Sequence, residues 1–268
     1  MGLAGALSCD VAVIGGTGLY DPGLLEGAEP ASVTTPYGVV NLFIGGYAGR
    51  RIAFLPRHGA GHAVPPHRVN YRGNVWAIRQ LGATGILATA ASGSLAADIA
   101  PGSLALIDQF MDCTRGRPST FFDGGDAGVR HTDMTVPYCP ELRAALAAAA
   151  AAEGVPLRVG GTYVCTEGPR FETPAEIRAY RMLGGDLVGM TGVPEVVLAR
   201  EAGLCYASLA IATNYAAGLA GRPLSHDEVV EAMAGAMDAV RRVVLAAIGR
   251  LGGGRVCATC PPAPGPVG

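Results

Sequence analysis

Short apolar runs rich in valine and isoleucine, most of them bounded by glycine or proline, recur along this chain and constrain its fold more than any other feature. Runs of this length and composition predict buried strands. The predicted strands are Asp10–Gly15, Ile52–Pro56, Gly85–Thr89, Leu104–Asp108, Gly161–Thr166, Asp186–Met190 and Tyr206–Thr213. Helical patterns lie between several of them, and this alternation predicts an α/β fold with a parallel or mixed sheet.

Four segments carry helix signals. Asn70–Leu81 has apolar residues spaced three apart, and Pro140–Glu153 is rich in alanine. Thr173-Pro174-Ala175-Glu176 is a capping box, in which a hydroxyl and a glutamate satisfy the first amides of a helix. Ser225-His226-Asp227-Glu228 is a second capping box and is predicted to open a helix that runs to about Ile248.

The length of 268 residues suits one large α/β domain or two small ones. We predict a single domain over residues 1–251 and a Gly- and Pro-rich tail over 252–268, which we expect to be disordered. Acidic and basic residues are interleaved and the formal charge is −2. The sequence therefore shows no run of basic residues that would indicate binding to nucleic acid or to an anionic membrane. We expect neither a signal peptide nor a membrane span, because the apolar stretches are too short.

The seven cysteines are scattered and odd in number, which argues against a disulfide framework and favours a reducing cytoplasm. Cys257-Ala258-Thr259-Cys260 is a single CxxC pair on the predicted tail. Without a second pair it is a weak signal for a metal or redox site. No His/Cys cluster is visible in the sequence, so we expect no metal.

Three predicted strands end in turns that suit an anion. The glycines of Val13-Ile14-Gly15-Gly16-Thr17-Gly18 let amides and a hydroxyl surround it, but they lack the G-x-G-x-x-G spacing of a nucleotide-binding dehydrogenase. Pro56-Arg57-His58-Gly59 adds a planar donor fork, and Ala90-Ala91-Ser92-Gly93-Ser94-Leu95 adds further amides. Each alone is compatible with an ordinary turn, whereas the three together favour one shared phosphate site.

Three further segments complete a resemblance. They are Glu167-Gly168-Pro169-Arg170-Phe171-Glu172-Thr173, Gly189-Met190-Thr191-Gly192-Val193-Pro194-Glu195 and Thr213-Asn214-Tyr215-Ala216-Ala217-Gly218. With the three turns, in this order and spacing from about Asp10 to Ile248, the chain resembles the family of trimeric purine nucleoside phosphorylases and methylthioadenosine phosphorylases. The resemblance implies a single-domain α/β fold whose distorted mixed sheet is partly closed as a barrel and flanked by helices.

The resemblance also implies site residues. The implied phosphate-binding residues are Thr17, Arg57, His58, Ala90, Ala91 and Thr191. The implied substrate-binding residues are Phe171, Glu172, Met190, Asn214, Ala216 and His226. Among these, Asn214, Arg57 and His58 form the implied catalytic set, while Met190 lies against the ribose and Phe171 covers the purine. Inorganic phosphate is a co-substrate, and no cofactor or metal is implied.

The residues at the base edge predict the purine. The Asn214 amide can donate to O6 and accept from N7–H, whereas the methylthioadenosine phosphorylases that this chain resembles carry aspartate there. The Glu172 carboxylate can accept N1–H of hypoxanthine or guanine. We therefore predict phosphorolysis of inosine and guanosine to free base and ribose 1-phosphate, in purine salvage.

His226 bears on the sugar, because a histidine at a helix start can hydrogen-bond a 5′-hydroxyl, although it can equally be a solvated first-turn residue. S-methyl-5′-thioinosine therefore stays open as a substrate. A methylthioadenosine phosphorylase, which acts on S-methyl-5′-thioadenosine, and a non-catalytic nucleoside sensor on the same fold are separate alternatives. The resemblance implies a homotrimer or a hexamer of two trimers, in which a neighbouring chain closes each site near His131. We interpret Pro194 and Glu195 as helix-start residues without a chemical role, and Thr173 as a cap.

Overall fold

A mixed α/β fold is built on one sheet in the computed structural model, which describes residues 7–16, 25–221, 226–252, 257 and 260, without the side chains of Ala60, His226 and Glu228. The strands are β1 Val11–Gly15, β2 Glu26–Thr35, β3 Gly38–Tyr47, β4 Arg50–Pro56, β5 Gly85–Ser94, β6 Leu104–Leu106, β7 Gln109–Cys113, β8 Leu157–Val159, β9 Thr162–Thr166, β10 Leu187–Gly189 and β11 Cys205–Tyr215. The helices are α1 Tyr71–Gln80, α2 Pro140–Ala152, α3 Pro174–Met182, α4 Gly192–Glu201 and α5 His226–Arg250.

Strand β5 is the centre of the sheet and the point where its neighbours change. The strand order is β2-β3-β4-β1-β5-β10-β9-β7, and β11, β6 and β8 branch from β5. The first half of β5 pairs in parallel with β1 through residues 85–88, and its last two residues pair antiparallel with β10. A gap therefore opens beside β5 where β1 ends and β10 begins. In open α/β sheets, ligands bind at such a change of neighbour beyond the carboxyl ends of strands.

The sheet confirms all seven predicted strands and adds four that the sequence did not predict. The additions are the β2–β3 hairpin, β7 and β8. Strand β11 is longer than predicted and contains an irregularity in its pairing with β5 between Ala212 and Asn214. This irregularity comes directly before the residues that we expect to face a purine.

The helices pack on both sides of the sheet and bury apolar side chains there. One core cluster includes α1 and α4, and another includes α2 and α5. The capping box at Thr173 is confirmed, with the threonine hydroxyl accepting from the amide of Glu176 and the Glu176 carboxylate accepting from the amide of Thr173. The predicted cap at Ser225 lies outside the described residues. Within the described ranges, no helix combines the length and apolarity that a bilayer span requires.

The predicted boundary between a domain and a tail after residue 251 stays a prediction. Two tail residues that the structure describes, Cys257 and Cys260, are buried against the α2 and α5 side of the sheet. There they meet Cys139 and Cys205. The expectation that the chain forms no cysteine cluster is therefore wrong, because residues far apart in sequence converge in the fold.

Candidate active site

A cavity of about 390 Å³ lies beside β5, where the sheet changes neighbours. Most of the residues that line it follow the carboxyl ends of β1, β4 and β9 or belong to the last residues of β5, β10 and β11 and the residues just after them, and Val229 of α5 completes the lining. This volume falls in the range of small-molecule sites, and the lining combines apolar side chains with a few polar ones. The topology alone thus brings the conspicuous turns of the sequence to one place.

The predicted site residues largely meet in this cavity. Those that line it are Arg57, His58, Ala91, Phe171, Glu172, Met190, Thr191, Asn214 and Ala216. Ala90 is buried in β5 next to Ala91 and does not line the cavity. Thr17 and the side chain of His226 lie outside the described residues, although Val229, three residues after His226 in α5, is part of the lining. Their roles toward a ligand stay predictions.

Arg57 follows β4 and is buried at the cavity wall. Its Nε donates to Oε2 of Glu195 at 2.7 Å, its Nη2 donates to Oε1 of Glu195 at 2.8 Å, and its Nη1 donates to the main-chain oxygen of Thr89 at 2.9 Å. Burial opposes the charge of Arg57, but the Glu195 carboxylate outweighs burial and raises the pKa of Arg57 above its ordinary value. A guanidinium has five N–H donors, so one on Nη1 and one on Nη2 are not used by these bonds.

Glu195 is a helix-start residue as predicted, but its ion pair was not predicted from the sequence. It lies in the first turn of α4, where it is fully buried and its carboxylate holds Arg57 in a bidentate ion pair. The Tyr206 hydroxyl donates to the same carboxylate at 2.8 Å. A buried charge needs such partners, because an unpaired one is strongly destabilising. Glu195 and Tyr206 therefore fix the orientation of the arginine that faces the cavity.

His58 is neutral at pH 7. Its Nδ1 lies 2.8 Å from the main-chain oxygen of Val64, which can only accept, so Nδ1 carries the hydrogen and Nε2 carries the lone pair. Burial, assisted by the positive charge of Arg57, lowers the pKa of His58 to about 4. In this state His58 can accept a hydrogen bond through Nε2 from a P–OH group or a sugar hydroxyl.

Gly16 directly follows β1 and lies against Arg57. A Cβ on Gly16 would lie 3.0 Å from Nη1 of Arg57 and 3.0 Å from the main-chain oxygen of Thr89. The Gly16 amide donates to the Thr89 hydroxyl at 3.1 Å. A side chain here would crowd both the guanidinium and the Thr89 carbonyl oxygen, so glycine suits the close approach of the backbone. Gly16 thus contributes space to the site.

Thr191 meets the cavity at the end of β10. Its amide donates to the Tyr163 hydroxyl at 3.2 Å, and the amide of Gly192 lies 3.5 Å from the same oxygen. Tyr163 is fully buried, so it anchors this turn from inside the sheet. The side-chain hydroxyl is consequently the group that Thr191 can offer to a ligand.

Glu172 lines the cavity, and one of its two carboxylate oxygens accepts a hydrogen bond from the protein. The Thr166 hydroxyl donates to its Oε1 at 2.6 Å. Burial raises the pKa of Glu172 above its ordinary value, and the hydrogen bond from Thr166 opposes that rise. The second carboxylate oxygen can accept a hydrogen bond from a ligand.

The orientation of the Asn214 amide is set by its own neighbours. Its Nδ2 donates to the main-chain oxygen of Tyr215 at 2.8 Å, and its Oδ1 accepts from the Thr213 hydroxyl at 2.8 Å. A carboxamide has a second N–H and a second lone pair, so one donor and one acceptor stay available for a ligand. The amide can therefore make the donor and acceptor pair predicted for a 6-oxopurine.

Arg117 braces the segment that carries Phe171 and Glu172, and the sequence did not single it out. Its Nη2 donates to the main-chain oxygens of Thr166 at 3.1 Å and Glu167 at 2.7 Å. Its Nη1 donates to the main-chain oxygen of Val193 at 2.8 Å. One buried guanidinium thus ties the turn after β9 to the start of α4.

Comparison with known proteins gives one answer for the family. The family model described as the phosphorylase superfamily matches residues 10–249. A protein from Moorella thermoacetica named "Probable 6-oxopurine nucleoside phosphorylase" is 56% identical over 83% of this chain and 86% of its own length. One from Methanopyrus kandleri named "Probable S-methyl-5′-thioinosine phosphorylase" is 54% identical over 83% of this chain and 85% of its own.

Solved structures agree with the fold. The methylthioadenosine phosphorylase from Schistosoma mansoni in complex with adenine superimposes with a TM-score of 0.84. The two sequences are 39% identical, and the match covers 90% of this chain and 91% of the other. Relatives with different purines in their names thus share one architecture with this chain, so the base must be decided from individual side chains.

Proposed function

The chain belongs to the phosphorylase superfamily, and we propose that it cleaves the N-glycosidic bond of 6-oxopurine nucleosides with inorganic phosphate. The products are the free purine and ribose 1-phosphate. The observation that carries the proposal is the placement of Arg57, Glu172 and Asn214 on one cavity. The cavity thus contains an anion-binding group on Arg57. Asn214 adds one hydrogen-bond donor and one acceptor, and Glu172 adds a second acceptor, as a 6-oxopurine requires. No cofactor or metal takes part in the reaction.

Phosphate binds against Arg57 in this proposal. The free N–H groups on Nη1 and Nη2 of Arg57 donate to phosphate oxygens, and the Thr191 hydroxyl and the amides near Ala91 add further donors. Neutral His58 accepts from a P–OH group or a sugar hydroxyl. Since Glu195 already balances the charge of Arg57, the phosphate is held by directed hydrogen bonds more than by net positive charge, and it keeps its nucleophilic character.

Bond cleavage builds positive charge on the ribose and negative charge on the purine. The bound phosphate attacks C1′ and stabilises the oxocarbenium-like sugar, and positioning of this kind supplies ~7–11 kcal/mol. Hydrogen phosphate loses a proton on becoming the ribose ester, and this balances the proton that the leaving purine gains at N7. Asn214 accepts a hydrogen bond from N7–H and donates one to O6, where negative charge develops. Donors aimed at developing charge supply ~3–4 kcal/mol each. Phe171 covers the purine and Met190 lies against the ribose.

The choice of base follows from hydrogen-bond polarity. Ionised Glu172 accepts from N1–H of hypoxanthine or guanine but meets a lone pair at N1 of adenine. The Nδ2 of Asn214 has a hydrogen for O6 but nothing to offer a 6-amino group. Both positions favour inosine and guanosine, and the relative from Moorella thermoacetica carries a name of this specificity.

S-methyl-5′-thioinosine is the second candidate substrate, and one observation favours it. Val229 lines the cavity three residues after His226 on α5, and an apolar side chain suits a methylthio group. The base would be the same 6-oxopurine. The two candidate substrates differ only in the 5′ substituent of the sugar. The proposed contacts of Asn214 and Glu172 with the base are therefore the same for both.

The proposal extends to a cytoplasmic homo-oligomer, a trimer or a hexamer of two trimers. Phe171 is 39% exposed although it lines the cavity, which supports a neighbouring chain that covers this side. Light scattering after size exclusion gives the mass of the assembly. A monomer in solution with full activity would contradict this part.

One set of initial rates tests the function. Inosine, guanosine, adenosine, S-methyl-5′-thioinosine and S-methyl-5′-thioadenosine are each assayed with and without phosphate. We expect base release only with phosphate, and only from the 6-oxopurine substrates at appreciable rates. Binding without phosphate-dependent release would instead identify a nucleoside sensor.

A further inference from the structure

Four buried cysteines converge at the end of the sheet away from the cavity. Cys139, Cys205, Cys257 and Cys260 place their Sγ atoms within 4.8 Å of one another. Four thiolates around one zinc ion, each at about 2.3 Å from the metal in tetrahedral geometry, lie about 3.8 Å apart. The cluster therefore has nearly the spacing of a tetrahedral sulfur site before any ligand is added.

The domain fixes two of the four cysteines. Cys139 precedes α2, and its amide donates to the main-chain oxygen of Tyr206 at 2.8 Å. Cys205 begins β11, and its amide donates to the main-chain oxygen of Thr84 at 3.1 Å. Half of the site is thus preorganised by the sheet and by α2. The tail supplies the other half with the C-x-x-C spacing typical of zinc-binding segments.

Backbone amides point at two of the sulfurs. The Leu142 amide lies 3.5 Å from Sγ of Cys139 as the N-terminal cap of α2. The Cys260 amide lies 3.3 Å from Sγ of Cys257. Such N–H···S contacts, together with a helix N-terminus, favour the thiolate form that a metal needs.

We propose that Cys139, Cys205, Cys257 and Cys260 bind one zinc ion, which fastens the C-terminal tail to α2 and β11. Four protein ligands leave no open position, so the ion is structural and not catalytic. Asn214 is nine residues farther along β11 than Cys205, a distance of ~30 Å for an extended strand. Binding converts the four thiols to thiolates and releases their protons. The proposal is independent of the proposed enzymatic function.

Metal analysis of the full-length protein tests the site. The protein is purified without chelators or a histidine tag from cells grown with added zinc, and its metals are measured by mass spectrometry. We expect one zinc per chain. The double variant Cys257→Ser/Cys260→Ser should lose the zinc, whereas the matched variant Cys113→Ser, altered at a half-buried cysteine outside the cluster, should keep it. Iron in place of zinc, or no bound metal, overturns the proposal.

A thiol count distinguishes zinc from disulfides. The untreated wild-type protein is unfolded in the presence of a chelator and without a reductant, and its reactive thiols are titrated. A zinc site predicts that all seven cysteines react. A count of five or three indicates one or two disulfides and overturns the proposal. This measurement needs no variant, so it decides the question even if the serine variants fold poorly.

Stability and activity should respond differently to zinc. Chelation, or the double variant, should lower Tm by several degrees because the tail is released, while kcat/KM at 25 °C stays within about twofold. Readdition of zinc should restore Tm in the wild type and in Cys113→Ser but not in the double variant. A Tm that does not respond to zinc in the wild type would contradict a structural role.

Discussion

Glu195 and Arg57 form a fully buried bidentate ion pair, in which the two carboxylate oxygens accept hydrogen bonds from Nε and Nη2 at 2.7 and 2.8 Å. The pair leaves little net charge at the place where we expect phosphate to bind. It also fixes the plane of the guanidinium, with Nη1 held by the main-chain oxygen of Thr89. The phosphate site is therefore organised by the direction of its donors, and the two residues make separable contributions that mutations can test.

Arg57→Ala should raise the phosphate KM and lower turnover, because it removes the donors that face the cavity. The combined loss in kcat/KM should be about 2 kcal/mol or more, as for a charge-assisted contact. Initial rates at varied phosphate and saturating inosine measure it. Phosphate kinetics that match the wild type would remove Arg57 from the site.

Glu195→Gln should lower kcat at least about tenfold, because the guanidinium loses its bidentate partner and its fixed plane. It should also lower Tm, since removing one partner of a buried pair costs roughly 3–5 kcal/mol. Added phosphate should raise the Tm of the variant more than that of the wild type, because the anion replaces the missing charge.

Glu201→Gln is the matched control for Glu195→Gln. Glu201 is also buried in α4, but it accepts from the Thr120 hydroxyl and the Phe121 amide, away from the cavity. This variant should lose stability without a change in phosphate kinetics. If both variants changed phosphate kinetics equally, Glu195 would contribute only to the stability of the fold and not to the orientation of Arg57.

The site could be predicted in part from the sequence because its turns follow strands directly. Arg57 and His58 come after β4, and parallel neighbours bring such turns to one edge. The ion pair of Glu195 was not predicted, because a Pro-Glu sequence is fully explained by the helix start that it forms here. One signal was available, since a lone acid within the apolar run Val193–Val197 has to find a cation if the run is buried.

The fold was predictable where periodicity was clear. The β2–β3 hairpin was missed because β2 is largely exposed and contains Pro30, so it lacks a buried apolar run. The start of α4 was predicted at Pro194 and Glu195, but its extent was not, because nearly all of its residues are buried and the amphipathic pattern is lost. The cysteine cluster joins positions up to 121 residues apart (139 to 260), and no local pattern encodes such a contact.

Thr166→Val should shift the acid limb of the pH–rate profile to higher pH. Glu172 accepts N1–H only as a carboxylate, and burial already raises its pKa above the ordinary value. Activity should therefore be present above this pKa and be lost as pH falls through it. The Thr166 hydroxyl stabilises the carboxylate at 2.6 Å, so its removal raises the pKa further.

Thr166→Ser keeps the hydroxyl and should leave the acid limb in place. The comparison uses kcat/KM for inosine between pH 4 and pH 8, which reports groups of the free enzyme. An unchanged limb in Thr166→Val would show that Glu172 does not need to be ionised for the reaction.

His226→Val should weaken inosine cleavage and improve cleavage of S-methyl-5′-thioinosine. A hydrogen bond from histidine to the 5′-hydroxyl predicts a cost to inosine of ~1–3 kcal/mol in kcat/KM when it is removed. Val229→Ser is the opposite change on the same helix, since Val229 lines the cavity. It should disfavour the methylthio substrate. Equal effects of His226→Val on both substrates would mean that His226 only starts α5.

The base preference is the firmest test of the proposed specificity. Inosine or guanosine should exceed adenosine by ~10⁴–10⁵ in kcat/KM. A site that hydrogen-bonds the polar groups of its substrate is left with unpaired buried groups when the substrate lacks them. Wild-type rates on the purine nucleosides measure this ratio directly. Adenosine or S-methyl-5′-thioadenosine cleaved as fast as inosine would show that Asn214 and Glu172 do not select a 6-oxopurine.

Asn214→Asp should shrink that ratio, because the new carboxylate repels O6 and can accept from a 6-amino group. It also replaces the Nδ2 donor that lies 2.8 Å from the main-chain oxygen of Tyr215, so the side chain must turn and turnover on inosine should fall. Glu172 still demands N1–H, and the single change therefore need not invert the preference. The double change Asn214→Asp/Glu172→Ser should move further toward adenine than the two single changes combined, since both residues contact one ring edge. Strictly additive effects would mean that the two side chains do not contact the same base.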